Sequence, residues 1–344
     1  MSHTLLGIDI GGTKCAVIIG RTDEDGRIQI VRKSSFPTET SKGFDYTLST
    51  LFAATDELLE QSGLTPGDLS AIGISCGGPL DSRQGLVMSP PNLPGWDNIP
   101  IVSLFEKKYG VRTALQNDAN ACALAEWKYG AARGANNAIF LTFGTGMGSG
   151  LILNGQLYAG TNDMAGEVGH IRLEQTGPVG YGKAGSFEGF CSGGGIAQLA
   201  QTKALEKLQM GEKVCFCESI DQLNGITAKS VAEAAFAGDD LAIEVYRICA
   251  DYLGRALAVL IDILNPEVIV LGSIYGRAQA LIESEMRKVI RQECVSHAYR
   301  VCQIVPAGLG EHIGDYAALS VADWKTVREL RVESSTIQSG IHTR

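Results

Sequence analysis

The chain carries one unusual unit twice. Residues 4–19 (TLLGIDIGGTKCAVII) and 139–153 (IFLTFGTGMGSGLIL) each run as an apolar strand, a glycine and threonine turn, and a second apolar strand. Turns of this make-up let backbone N–H groups approach an anion with no Cβ in the way. In the first copy Asp9 precedes Gly11-Gly12-Thr13-Lys14; in the second Gly144, Gly146, Gly148 and Gly150 alternate with Thr145, Met147 and Ser149. The outgoing strand is expected to pair with the incoming one as a hairpin. Two such units predict two related α/β domains facing each other across a cleft. For a lone run of this kind, an ordinary glycine-rich hairpin is the better reading.

Polar residues cluster around these turns. A plain turn residue and a Mg²⁺ ligand acting through water account equally well for Asp9, while Lys14 is placed to reach a phosphate. A strand over 69–75 ends in a third glycine turn, Cys76 to Asp81, where ligands collect in open α/β sheets. The segment Ser89–Trp96 holds three prolines and excludes regular structure. It either offers the Asn92 amide and the Trp96 ring to a ligand or serves as a rigid connector. A strand over 111–115 leads into Gln116-Asn117-Asp118 and an alanine-rich helix over 121–129. Capping is the default explanation for Asp118 there, but this element directly precedes the second hairpin, which favours a functional role. Glu167 and His170 stand in a polar loop that reads as a polyol-binding corner. The glycine-dense stretch 174–195, with Glu188, reads as a surface loop or a ligand lid. Gly272 opens a turn after the strand 267–271 that either approaches an adenosine or simply joins strand to helix. Further helices are expected over 44–62, 101–109, 196–206, 227–237, 240–264, 277–294 and 313–324.

The totals bound the function. At 344 residues the chain has length for two domains and a large core. A formal charge of −9 argues against a dedicated nucleic-acid surface, yet leaves room for ATP, whose phosphates are held locally by backbone amides and a metal ion. The nine cysteines sit mostly among apolar neighbours, as reduced thiols of a cytosolic protein do. Cys215 and Cys217 read as a buried strand edge rather than a metal pair. No signal-like segment precedes the first strand and no apolar run reaches membrane-spanning length. A cytoplasmic protein without membrane contact is expected.

Taken in order, DIGGTK at 9–14, GGPLD at 77–81, NDANA at 117–121, FGTGMGSG at 143–150, GEVGH at 166–170 and FEGFCSG at 187–193 give the chain a specific resemblance. From residue 5 to about 325 it resembles the ROK-family sugar kinases, a branch of the actin/hexokinase/Hsp70-like ATPase superfamily. The resemblance implies two actin-like (ribonuclease H-like) α/β domains, 1–116 with about 310–330 and 117–309, followed by a flexible tail at 331–344. It implies that Gly11, Gly12, Thr13 and Lys14, with Gly144, Thr145, Gly146 and Met147, hold the ATP phosphates, with Gly272 near the adenosine. It makes Asp118 the general base, and gives Asn92, Asn117, Asp118, Glu167, His170 and Glu188 to the sugar hydroxyls. A small-molecule sugar, ATP, Mg²⁺ and a homodimer are the partners it implies. Phosphoryl transfer needs positioning and charge neutralisation more than covalent help, so these groups suffice.

The chain departs from the family where many members hold a structural zinc with a histidine at the position of His170 and three cysteines. Val179, Tyr181 and Ser186 stand where the cysteines would be. One ligand cannot build a tetrahedral site, so no zinc is expected and the loop is to be ordered by packing of Tyr181 and Phe187. The leading expectation is an ATP-dependent kinase acting on a hexose hydroxyl, O6 by preference, with glucose ahead of an N-acetylhexosamine. The alternative is a sugar-sensing regulator, disfavoured by the four or so residues ahead of the first strand and by the charge. A chaperone or filament ATPase leaves the polar constellation unexplained.

Overall fold

The computed structural model describes residues 2–324; the tail expected at 331–344 lies outside them. The chain divides into two compact units. Among the described residues the first takes in 2–134, Leu157–Ala165 and 311–324; the second is Ala135–Gln156 with Gly166–Gly310. Both are actin-like α/β units.

The first unit runs β1 (Thr4–Ile10), β2 (Lys14–Thr22), β3 (Ile28–Pro37), α1 (Gly43–Gln61), β4 (Ala71–Cys76), the short pair β5 (Leu80–Asp81) and β6 (Leu86–Val87), α2 (Ile101–Tyr109), β7 (Thr113–Asn117) and α3 (Asp118–Tyr129). Its sheet has the order β3-β2-β1-β4-β7, with β1 antiparallel to β2 and parallel to β4, and β4 parallel to β7. Every side chain of β4 is buried, as both-face coverage requires. One face carries Leu6, Ile8, Val17 and Ile74 against Leu51 and Leu58 of α1 and Phe105 of α2. The other packs Leu5 and Ile18 under Ala318 and Leu319 of a helix over residues 313–324. Gly7 and Gly73 sit mid-strand because that helix lies on the backbone: a Cβ on Gly73 would come 2.3 Å from Ala318 O.

The second unit runs β8 (Ala138–Leu141), β9 (Ser149–Leu153), β10 (Gln156–Leu157), β11 (Val179–Gly180), β12 (Lys183–Ala184), α4 (Phe187–Cys191), α5 (Gly193–Gln209), α6 (Ala228–Phe236), α7 (Asp240–Leu264), β13 (Val268–Leu271), α8 (Ser273–Glu293), α9 (Ser296–Val301) and β14 (Gln303–Pro306). Its sheet order, β10-β9-β8-β13-β14, repeats the first sheet strand for strand, with β8 antiparallel to β9 and parallel to β13. The repeat seen in the two glycine turns is therefore a repeat of whole sheets. Helix α7 starts on the Asp239 cap and ends at Asn265, whose left-handed backbone (φ 45°) precedes Pro266. Gly254 lets α7 close on α8, since a Cβ there would lie 2.7 Å from Val289 Cβ.

Four differences from the sequence reading have physical causes. The boundary between units falls at Gly134 rather than at 116, because α3 is fastened to the helix over 313–324. Ala121 packs with Ala317 and Val321, Tyr129 Oη donates to Asp323 Oδ2 at 2.8 Å, and Lys128 pairs with the same carboxylate. Strand β3 was unforeseen because its exposed, charged residues show no clean alternation. Residues 187–195, read as loop, are helical: Ser186 and Ser192 cap α4 and α5 by accepting from Gly189 N–H and Gly195 N–H, both at 3.0 Å. The glycines there serve close packing, since a Cβ on Gly195 would lie 1.8 Å from Gly189 O. Residues 214–217 form a turn closed by a Val214–Cys217 bridge, with Cys215 exposed and Cys217 buried, not a strand edge. Among the described residues no helix is long and apolar enough to cross a membrane.

Candidate active site

In the first unit the predicted residues collect at the carboxyl ends of β1, β4 and β7. Gly11 N–H closes the β1–β2 turn onto Lys14 O at 3.1 Å, while Thr38 donates its hydroxyl to Gly11 O at 2.5 Å and its N–H to Thr13 O at 3.0 Å. These bonds leave the N–H groups of Gly12 and Thr13 as the turn's open donors, beside the exposed side chain of Lys14. Thr38 was not legible beforehand, since it comes from the far end of β3. Gly12 rests on the Asn92 backbone: its Cβ would be 2.6 Å from Asn92 O. A Cβ on Gly77 would lie 3.4 Å from both Asn92 amide atoms, and one on Gly78 would lie 3.1 Å from Asn117 Nδ2. The two amides thus flank the bare backbone of Gly77-Gly78. Of the two readings of the Trp96 loop, the ring follows the connector: Trp96 is 2% exposed and packs edge-on against Phe44 at 5.0 Å, anchoring the Asn92 loop.

Asn117 caps α3, its side chain accepting from Ala119 N–H at 3.0 Å, and Asp118 Oδ1 accepts from the same N–H at 2.8 Å. Asp118 is exposed, the first residue of the helix. Gln116 Oε1 fixes the approach to it by accepting from Asn117 N–H at 2.8 Å and Asn120 Nδ2 at 3.1 Å.

Asp9, at the end of β1, is pushed up to about 7 by its burial and by the Asp118 and Asp315 carboxylates, against the opposing pull of Lys33 and a Ser75 hydrogen bond. Asp315 lies on the helix over 313–324, buried, with Lys33 Nζ at 2.5 Å; neither was singled out in the sequence. Surplus carboxylate charge in a sheltered corner suits a hard divalent cation. Mg²⁺ is usually held by one or two carboxylates with water and phosphate oxygens, not by a full protein cage. Among the described residues no group of three or more His, Cys, Asp and Glu is placed to hold a metal. Asp9 fits a Mg²⁺ role through water.

The second unit repeats the turn. Gly144 N–H closes onto Gly146 O at 3.1 Å, and Thr142 brackets the exit, its N–H donating to Gly148 O at 3.0 Å and its Oγ1 accepting from Gly148 N–H at 2.8 Å. Met147 N–H, one of the expected phosphate donors, is held by Glu188 Oε2 at 2.9 Å. The N–H groups of Thr145 and Gly146 are this turn's open donors, matching Gly12 and Thr13. Gly193 N–H at the start of α5 supports the turn from below, donating to Gly144 O at 2.7 Å. Gly272 is the N-cap of α8, pressed so closely on β8 that its Cβ would lie 2.5 Å from Thr142 O.

Glu167 is exposed and opens a single 3₁₀ turn that ends at His170. The His170 ring meets Tyr181 edge-on at 5.1 Å, and its carbonyl accepts from Lys183 Nζ at 2.7 Å. Of the two side chains expected to order the nearby loop, Phe187 is fully buried while Tyr181 is 66% exposed. The hairpin β11–β12 is instead pinned by Gln198, which donates to Val179 O at 2.8 Å and accepts from its N–H at 3.0 Å.

Comparison with known proteins identifies the family of the chain. The ROK family model matches residues 5–323. The glucokinase of Thermotoga maritima is 30% identical over 92% of this chain and 96% of its own length. A ROK family glucokinase from Streptomyces griseus, solved in complex with glucose and AMPPNP, is 29% identical and superposes with a TM-score of 0.72, covering 93% of this chain and 99% of that one. The xylose repressor of Caldicellulosiruptor bescii is 28% identical over 84% of this chain and 70% of its own.

Proposed function

The chain belongs to the ROK family, and from that we propose that it transfers the γ-phosphoryl group of ATP to a hexose hydroxyl, O6 by preference, with glucose first and an N-acetylhexosamine second. The observation that carries the reading is the matched pair of glycine turns, each with two adjacent open N–H groups, combined with a carboxylate at the strand end of the first unit. Two pairs of N–H groups on glycine-rich backbone suit phosphate oxygens. The complex of the similar Streptomyces griseus protein with glucose and AMPPNP supports both ligands.

In this reading Asn92, Asn117, Glu167, His170 and Glu188 orient the sugar through its hydroxyls. Asp118 accepts the proton of the attacking hydroxyl as the oxygen–phosphorus bond forms and the bond to the ADP oxygen breaks. Gly12, Thr13, Thr145 and Gly146 N–H groups and Lys14 hold the phosphates in line. Asp9 would hold a Mg²⁺ ion through water, and that ion would supply neutralisation of the phosphate charge. A homodimer and a cytoplasmic location belong to the same proposal, open to light scattering and cell fractionation.

The repressor relative favours a second reading, a sugar sensor without turnover. A coupled ADP-release assay with Mg·ATP against hexoses and N-acetylhexosamines separates the two. Turnover on one sugar supports the kinase, whereas sugar binding without ADP release from any member of the panel supports the sensor.

A further inference from the structure

Three glycines clear the space around one carboxylate. A Cβ on Gly146 would lie 3.0 Å from Glu188 Oε2, one on Gly169 3.3 Å from Glu188 Cβ, and one on Gly180 2.7 Å from Glu188 Cβ. Each belongs to a different segment: the glycine turn after β8, the loop carrying Glu167 and His170, and the β11–β12 hairpin. The segments also interlock directly. Gly169 is packed on Met147, where a Cβ would lie 2.3 Å from Met147 O, and Ser149 N–H donates to Gly166 O at 3.2 Å. Met147 is therefore held on its N–H side by Glu188 Oε2 and on its carbonyl side by Gly169. Ser186 capping sets Glu188 in the first turn of α4, which gives the carboxylate a rigid base.

On the kinase reading above, we propose that Glu188 serves both substrates: Oε2 holds the Met147 N–H and so shapes the nucleotide-phosphate turn, while Oε1 accepts from a sugar hydroxyl. Glu188 is thus a positioning residue for the nucleotide as well as a sugar contact. A charged acceptor on a backbone N–H is a strong hydrogen bond, and the open donors Thr145 and Gly146 immediately precede the residue it fixes. A sugar hydroxyl on Oε1 restrains the same side chain, so the turn is better ordered before the nucleotide arrives. By linkage, nucleotide must tighten sugar binding by the same factor.

The test is calorimetric titration of Mg·AMPPNP with no sugar present, because a residue that only contacts sugar leaves that affinity untouched. Glu188→Ala is expected to weaken sugar-free Mg·AMPPNP binding by about tenfold, the scale of one charged hydrogen bond. Glu188→Gln, which keeps an acceptor for the Met147 N–H, is expected to restore it to within about threefold while its glucose affinity stays reduced. Wild-type affinity in Glu188→Ala overturns the proposal and leaves the kinase reading standing. Should Glu188→Ala fail to fold, equal loss in Glu188→Gln overturns it. If the parent protein binds no Mg·AMPPNP at all, the proposal falls together with the kinase reading.

Discussion

Gly12 lies against Asn92 with no room for a side chain: a Cβ there would sit 2.6 Å from Asn92 O and 2.8 Å from Asn92 Cβ. The β1–β2 turn and the loop carrying a candidate sugar ligand are therefore one packed unit. The loop cannot yield freely, because Leu93 and Trp96 anchor it in the core. Gly12→Ala is expected to destabilise the protein by about 1–3 kcal/mol, the range of overpacking, and to raise KM for both ATP and sugar. Urea denaturation and steady-state kinetics check it. A rise confined to ATP would mean that the turn and the loop act separately.

Asp118→Asn isolates proton transfer from structure. Asparagine keeps an acceptor for Ala119 N–H, so α3 should start as before. Turnover should fall about 10²- to 10⁴-fold, the range for a lost general base, with sugar affinity by calorimetry changed only a few-fold. A kcat within tenfold of the parent would remove Asp118 from that role.

What the sequence told beforehand follows from the range of each cause. The glycine turns, the strand-end placement of Asn117 and Asp118 and the span of α7 depend on residues a few positions apart, and were legible. Lys33, Thr38 and Asp315 were not. Each is an ordinary polar residue of a strand edge, a strand exit or a helix, and only the fold carries it to Asp9 or Gly11. Glycine was ambiguous for the same reason. At Gly12, Gly146 and Gly195 the cause is a neighbour from another segment, and a glycine that admits a neighbour reads the same as one that makes a loop. The two readings of Trp96 stay open in the sequence because the prolines around it announce irregular backbone and say nothing of which way the ring points.

The Gln116 network predicts unequal penalties. Asn120 is 1% exposed and its Oδ1 has no partner, while its Nδ2 donates to Gln116 Oε1. Gln116→Leu strands both Asn117 N–H and Asn120 Nδ2, and should cost about 2 kcal/mol. Asn120→Leu removes an unpaired oxygen along with one donor, so its cost should stay below about 1 kcal/mol. Chemical denaturation orders the two. The reverse order would show that Asn120 Oδ1 is satisfied by an internal water.

Metal removal should separate structure from catalysis. Ser186 Oγ is occupied as the α4 cap and Gln198 pins the β11–β12 hairpin, and with Val179, Tyr181 and Ser186 in place of cysteines the loop is expected to need no zinc. EDTA is expected to abolish turnover and to lower the melting temperature only by what bound Mg²⁺ contributes, and Mg²⁺ alone, with no Zn²⁺, is expected to restore both. A melting temperature that drops in EDTA and returns only with Zn²⁺ would contradict this.

Asp9 gives the pH dependence its sign. Its carboxyl moves from 3.8 when unfolded to about 7 in the folded chain, chiefly through burial and then through Asp118 and Asp315, with Lys33 and Ser75 opposing. Between those values the folded state holds a proton that the unfolded state has released. The stability tied to that proton is complete below 3.8 and is lost as pH rises through about 7. At pH 8 the ionised Asp9 therefore costs the folded state up to about 4 kcal/mol at 1.36 kcal/mol per pKa unit. Asp9→Asn removes that cost and should melt above the parent at pH 8, with the advantage shrinking toward pH 4, while turnover is lost. Mg²⁺ competes with the proton for the same carboxylate, so it should raise the parent's melting temperature more at pH 8 than at pH 5.5 and leave the variant unmoved. An Asp9→Asn protein that melts below the parent at pH 8 would show that Lys33 and Ser75 already compensate the charge.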